Sequence, residues 1–251
     1  MRKEYTEAIG RLWRTHATRP LTASEIALFY FLLNQADCQD WQMPVNVANG
    51  LICPMLFKSA TLERARKRLK EVGLIDYNAS KNGKVVPSYT ILRENTDSDK
   101  RNGRFVVGDK SAKLVTRIWA MFEDEAFDAS SLALYFYLLN LAESKQWKEP
   151  VKCHDALITP ALFKKACLIS AREDLAKRGL ITYELGDPTK TAPMYWICDS
   201  GDDVKPQLRS KTRTGSSPKA EVPASLTAEQ SQKPSGTNVE QLQIFNHAEQ
   251  G

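Results

Sequence analysis

The chain has no apolar run of the roughly 18–20 residues that a membrane span needs. Its first residues, MRKEYTEAIGRLW, are charged and amphipathic and lack the apolar core of a signal peptide. No membrane partner is expected, and the cytoplasm is the default location. Cysteine is sparse and odd in number: Cys38, Cys53, Cys153, Cys167 and Cys198 include no Cys-x-x-Cys pair and read as small core residues in a reducing compartment. His16, His154 and His247 are scattered, without metal-ligand spacing, and neither a nucleophile elbow nor a phosphate loop is present. Cys153, His154 and Asp155 adjoin in sequence, but neighbours do not point at one another, and catalytic sets are gathered by the fold. Neither enzymatic activity nor a metal or cofactor is expected.

What the chain does contain, it contains twice. ALFYFLLN at 27–34 returns as ALYFYLLN at 133–140, an offset of 106 residues. At that offset Trp13 meets Trp119, Trp41 meets Trp147 and Pro44 meets Pro150. PMLFK (54–58) meets PALFK (160–164), and GLIDY (73–77) meets GLITY (179–183). From 13 to 91 no gap is needed, and 31 of 79 pairs are identical. A period this long is a domain rather than a solenoid unit. The expected organisation is a domain at 1–95, a linker at 96–112, a second domain at 113–199 and a tail at 200–251.

Each copy carries the same signals. Thr22 and Glu25 form a T-x-x-E capping box ahead of an apolar run, and Asp128 can cap the matching helix. Residues 26–33 are apolar on every side, which predicts a central helix buried all round. VANGLIC (47–53) suits a short second helix, and 58–73 a third that stops at Gly73. Residues 74–92 then read strand, Asn82-Gly83 turn, strand. Three helices and a hairpin, with basic residues on the last helix and at the hairpin tip, describe a winged helix-turn-helix. The fold class is therefore mainly α with small β-hairpins: two tandem winged helices and a disordered tail.

At about 100° per residue, Leu62, Ala65, Leu69 and Val72 gather on one side of the third helix. Ala60, Glu63, Arg64, Lys67 and Glu71 face the other way, with Arg68 and Lys70 at the edges. A merely solvated face would look similar. Five basic residues against two acidic ones in 59–72, together with Lys81 and Lys84 around the turn, favour DNA. The candidate DNA contacts are Lys58, Ser59, Thr61, Arg64, Lys67, Arg68, Lys81 and Lys84. In copy two, Arg64 is replaced by Ser170, Lys67 by Glu173 and Arg68 by Asp174. Net charge follows: +5 over 1–95, +1 over 96–112, −1 over 113–199 and 0 over 200–251. Copy two reads first as a scaffold or protein-contact domain, and second as a weak DNA binder. Arg66 and Arg172 match, and are placed on the helix flank in a structural ion pair.

The pattern LTASEIALFYFLLN…W…P…LERARKRLKEVGLIDY…PSYTI resembles the winged-helix domain at the N-terminus of DnaD-like and phage replication-organiser proteins. These show a similar apolar helix, a Trp-Pro segment, an ARxxLxxxGLI helix exit and a Y-x-I closing strand. The likeness spans both copies. The chain lacks the YxxxIxxxW stretch of DnaD's helical module, so single-strand binding is not implied. Two tandem winged helices also resemble the layout of many plasmid replication initiators.

Residues 200–238 are rich in Pro, Ser, Thr, Lys and Gln and cannot bury enough surface to order themselves. Within the tail, QLQIF at 241–245 resembles the bacterial sliding-clamp-binding motif and makes Gln241, Leu242, Ile244 and Phe245 candidate partner contacts. The expected function is sequence-specific binding of double-stranded DNA in replication initiation by a phage, plasmid or integrated element. The expected partners are duplex DNA and the sliding clamp or another replisome protein, with a homodimer left open. A transcriptional regulator and a winged-helix protein adaptor are the alternatives.

Overall fold

In the computed structural model, which describes residues 2–56, 58–78, 85–92, 107–148, 150–158, 162–186 and 191–199, each copy begins with a helix that the repeated words do not reveal. Helix α1 (Lys3–Thr18) buries Tyr5, Ala8, Ile9, Leu12 and Trp13, the i, i+3, i+4 spacing of one apolar stripe. The charged start of the chain is thus the first helix of the fold. Then follow α2 (Ala23–Cys38), β1 (Val45–Asn46), α3 (Asn49–Leu56), α4 (Ser59–Glu71), β2 (Ile75–Asn78) and β3 (Ser88–Ile91). Copy two repeats the series as α5 (Asp109–Asp124), α6 (Ala129–Ser144), β4 (Val151–Lys152), α7 (Asp155–Ile158), α8 (Lys165–Lys177), β5 (Ile181–Glu184) and β6 (Met194–Ile197). Each element starts 106 residues after its counterpart, as Lys3 and Asp109 illustrate. Helix α5 takes in the last residues of the span 96–112 that reads as a linker, and Val107 ahead of it packs on the core.

Local signals act as their chemistry dictates. The Thr22 side chain accepts the Glu25 N–H while Glu25 Oε2 accepts the Thr22 N–H at 2.9 Å, and Asp128 accepts from the Ser130 N–H at 2.6 Å. Gly73 ends α4 with φ +76°, a left-handed conformation that glycine adopts without strain. Trp41 and Trp147 also stand in the left-handed region, at φ 59° and 57°. Each is held there twice: its N–H reaches back to Ala36 or Ala142, and its indole N–H to Asp37 or Glu143.

Among the described residues the chain is mainly helical with two small antiparallel sheets, ordered β1-β3-β2 and β4-β6-β5. The two-residue strands β1 and β4 add a third strand where a plain hairpin is expected. In β2 and β3, Ile75 faces Ile91 and Tyr77 faces Tyr89. Arg11 donates to the Leu92 carbonyl and Arg117 to that of Cys198, so each copy ties its first helix to the end of its last strand. No helix of the described residues is long and apolar enough to cross a membrane.

Helices α2 and α6 are buried all round, for a reason beyond each copy's own core. On one side α2 packs on α4; on another it packs on α6 of the second copy. Tyr30 stacks on Phe136, with Trp13 against Tyr137 and Phe31 against Trp119 on either side. The described residues form one compact unit, and both copies feed one continuous core.

Candidate nucleic-acid interface

Helix α4 divides cleanly. Leu62, Ala65, Leu69 and Val72 are buried, while Lys58, Ser59, Ala60, Glu63, Arg64, Lys67, Lys70 and Glu71 are exposed and Thr61 and Arg68 are half-buried. Its charges are not equivalent. Arg68 pairs with Glu71 at 3.7 Å, and Lys70 pairs with Asp76 on the neighbouring strand, which holds that carboxyl below its usual range. Among the described residues Lys58, Arg64 and Lys67 take part in no ion pair. The Arg64 guanidinium lies back along the first turn instead, donating to the Ala60 carbonyl at 3.2 Å and to Thr61 Oγ1 at 3.4 Å. Three cations without an ion pair among the described residues therefore follow the outer side of α4, from Lys58 just before its first residue to Lys67 past its middle. Lys81 and Lys84, and the tail residues Gln241, Leu242, Ile244 and Phe245, lie outside the described residues.

Arg66 makes a structural ion pair, as expected, but from a buried position rather than an open flank. It is 2 % exposed, donates to the Tyr89 hydroxyl and to Asn49 Oδ1, and lies 3.6 Å from Glu63. Arg172 is equally buried. It donates to the Tyr195 hydroxyl through Nε at 2.7 Å and makes a two-pronged pair with Asp155. A buried guanidinium needs its donors met, and the tyrosine of the closing strand serves in both copies. Burial raises the pKa of both tyrosines, which keeps them neutral acceptors.

The corresponding face of α8 carries Lys164, Lys165, Ile169, Ser170, Glu173 and Lys177, all exposed. Asp174 is not offered outward as its sequence position implies. It is half-buried and bound to Arg178 at 2.8 Å, and Arg178 also meets Glu125 at 3.1 Å. A groove of about 520 Å³ lies alongside, lined by Asp128 and Ser130 from the start of α6 and by Ala166, Ser170, Asp174 and Arg178. Among the described residues no His, Cys, Asp and Glu side chains cluster as a metal site.

The contact between Tyr77 and Glu63, hydroxyl to carboxylate at 2.9 Å, and the place of Asn49 beside Arg66 were not foreseen. The i+106 comparison carried a signal for the second: Asn49 answers to Asp155. No family model matches the chain, and no curated protein or solved structure matches it.

Proposed function

We propose that each copy is a winged helix-turn-helix, and that the chain binds double-stranded DNA sequence-specifically through copy one, as a replication initiation or organiser protein of a phage, plasmid or integrated element. The order of helices and strands and the β1-β3-β2 sheet support the winged-helix reading. The observation that carries DNA binding is the set of outward cations Lys58, at the start of α4, and Arg64 and Lys67 along it, which take part in no ion pair among the described residues. Its counterpart on α8 is Lys164, Ser170 and Glu173. In a helix-turn-helix the N-terminal part of the recognition helix reaches base edges, and flanking cations neutralise phosphates. Arg64→Ala and Lys67→Ala should each weaken duplex binding while leaving the urea midpoint unchanged. Wild-type affinity in both variants would refute the interface.

The replication role rests on the QLQIF motif. A peptide of residues 238–250 should bind a bacterial sliding clamp in the micromolar range, as expected of a short extended motif with a high ordering cost. Leu242→Ala with Phe245→Ala should remove that binding and spare duplex binding. A wild-type peptide silent at several hundred micromolar would favour a transcriptional regulator.

A further inference from the structure

The two buried arginines take their counter-charge from different elements. In copy two the carboxylate comes from Asp155 on α7, which makes the two-pronged pair with Arg172, and position 169 of α8 is an exposed isoleucine. In copy one the counterpart of Asp155 is the neutral Asn49, and the counterpart of Ile169 is Glu63. The carboxylate thus stands on α4 itself, one residue before Arg64 and one turn before Lys67. Glu63 is held at both oxygens: Oε1 accepts the Tyr77 hydroxyl at 2.9 Å, and Oε2 lies 3.6 Å from Arg66 Nη1. The side chain is nonetheless 61 % exposed. A carboxylate has about four lone-pair sites, so acceptor capacity remains for a donor arriving from outside. The other acids nearby are spent on cations beside them, Glu71 on Arg68 and Asp76 on Lys70. A carboxylate fixed on a helix face that approaches DNA is repelled by the phosphates unless a base donor meets it. In the major groove, cytosine offers its N4 amino group with no acceptor of its own. Adenine places N7 beside its N6 donor, guanine presents N7 and O6, and thymine presents O4, so a carboxylate fits cytosine.

We propose that Glu63, anchored by Tyr77 and Arg66 on the exposed face of α4, is a base-reading acceptor that selects cytosine at one position of the duplex site. The inference rests on copy one binding duplex DNA sequence-specifically through α4. It assigns specificity to an acid standing among the cations. Copy two, with Ile169 in that place, has no means of making the same choice.

The test uses the full chain. Because Glu63 also carries the counter-charge of Arg66, its variants are built on Asn49→Asp, which gives Arg66 the carboxylate that Arg172 has; urea midpoints check that the fold is kept. A pool of random duplexes is selected on the unsubstituted chain, on Asn49→Asp, and on Asn49→Asp combined with Glu63→Ala or with Glu63→Gln. Duplexes varied at the base pair where the selections differ are then titrated by fluorescence anisotropy. The unsubstituted chain and Asn49→Asp should prefer cytosine there by about ten-fold. Adding Glu63→Ala should bring the four bases within about two-fold at that position and leave the other positions unchanged. Adding Glu63→Gln should turn the preference to adenine, since an amide donates to N7 and accepts from N6. Loss of a merely structural contact would create no new preference. An unchanged selected sequence in both Glu63 variants would overturn the proposal, and so would a loss of affinity equal for all four bases; either reduces Glu63 to the counter-charge of Arg66 and leaves the DNA-binding reading intact. An unsubstituted chain that enriches no sequence would overturn that reading and this one with it.

Discussion

Tyr30 lies flat on Phe136, with ring centroids 3.7 Å apart and parallel planes, and the two residues are each other's counterparts in the repeat. The flanking contacts exchange under the same shift: Trp13 meets Tyr137, and Trp119, the counterpart of Trp13, meets Phe31, the counterpart of Tyr137. This is the isologous pattern of a two-fold dimer, realised within one chain.

Tyr30 has a second duty, since its hydroxyl accepts the Trp13 indole N–H at 3.1 Å. Tyr30→Phe keeps the stack and leaves a buried donor unmet, which should cost about 1–3 kcal/mol. Tyr30→Ala removes the stack and should cost about 3–5 kcal/mol. Urea titrations followed by tryptophan fluorescence and by circular dichroism check both. Because the core is shared, the two signals should move through one coincident transition.

Cutting the chain near residue 95 exposes the aromatic face of α2. Such a face complements its own copy, so the 1–95 fragment should self-associate through Tyr30 and Phe31. Sedimentation should find a dimer at micromolar concentration and a shift toward monomer with Tyr30→Ala. A stable monomeric fragment would show that the shared core is dispensable.

Glu173 is exposed and joined to no cation among the described residues, where copy one has Lys67. Glu173→Lys should tighten duplex binding several-fold at low salt, with the gain fading as ionic strength rises. Unaltered binding would mean that α8 does not approach the duplex.

His16 sits at the rim of the interface against Trp13 and Tyr137 and accepts the Leu21 N–H through Nδ1 at 3.0 Å. Burial lowers its pKa from the ordinary 6.5, so on acidification the unfolded chain takes up the proton first. The stability from neutral His16 is full above pH 6.5 and declines as pH falls from there through the lowered folded value, by at most about 1.4 kcal/mol per pH unit. Urea midpoints measured from pH 7.5 down to pH 5.5 should show the decline, and His16→Gln should flatten it.

The capping box at Thr22, the stop at Gly73 and the two faces of α4 were legible because each rests on a local rule of spacing or side-chain chemistry. Helix α1 was missed because its repeat survives as pattern alone. Between residues 3 and 12 only Arg11 finds an identical partner, Arg117, yet the buried positions 5, 8, 9 and 12 all recur in α5. Strand β1 is too short to show a period. The all-round apolarity of 26–33 was visible but ambiguous, since the pattern cannot tell a helix enclosed by its own domain from one facing a second copy. The structural ion pair of Arg66 was legible but the depth of its burial was not, because the receiving groups, Tyr89 and Asn49, are gathered only by the fold. The divergence of Asn49 from Asp155 could be seen in the sequence, but only the buried guanidinium between the helices gives it meaning.

A symmetric homodimer has one gene for both faces, so every substitution appears twice and neither face can change alone. With Tyr30 and Phe136 joined in a single chain, each position of the pair is edited once. Lys67 can stay a cation while its counterpart becomes Glu173, and the pairing of the halves no longer depends on how much protein the cell makes.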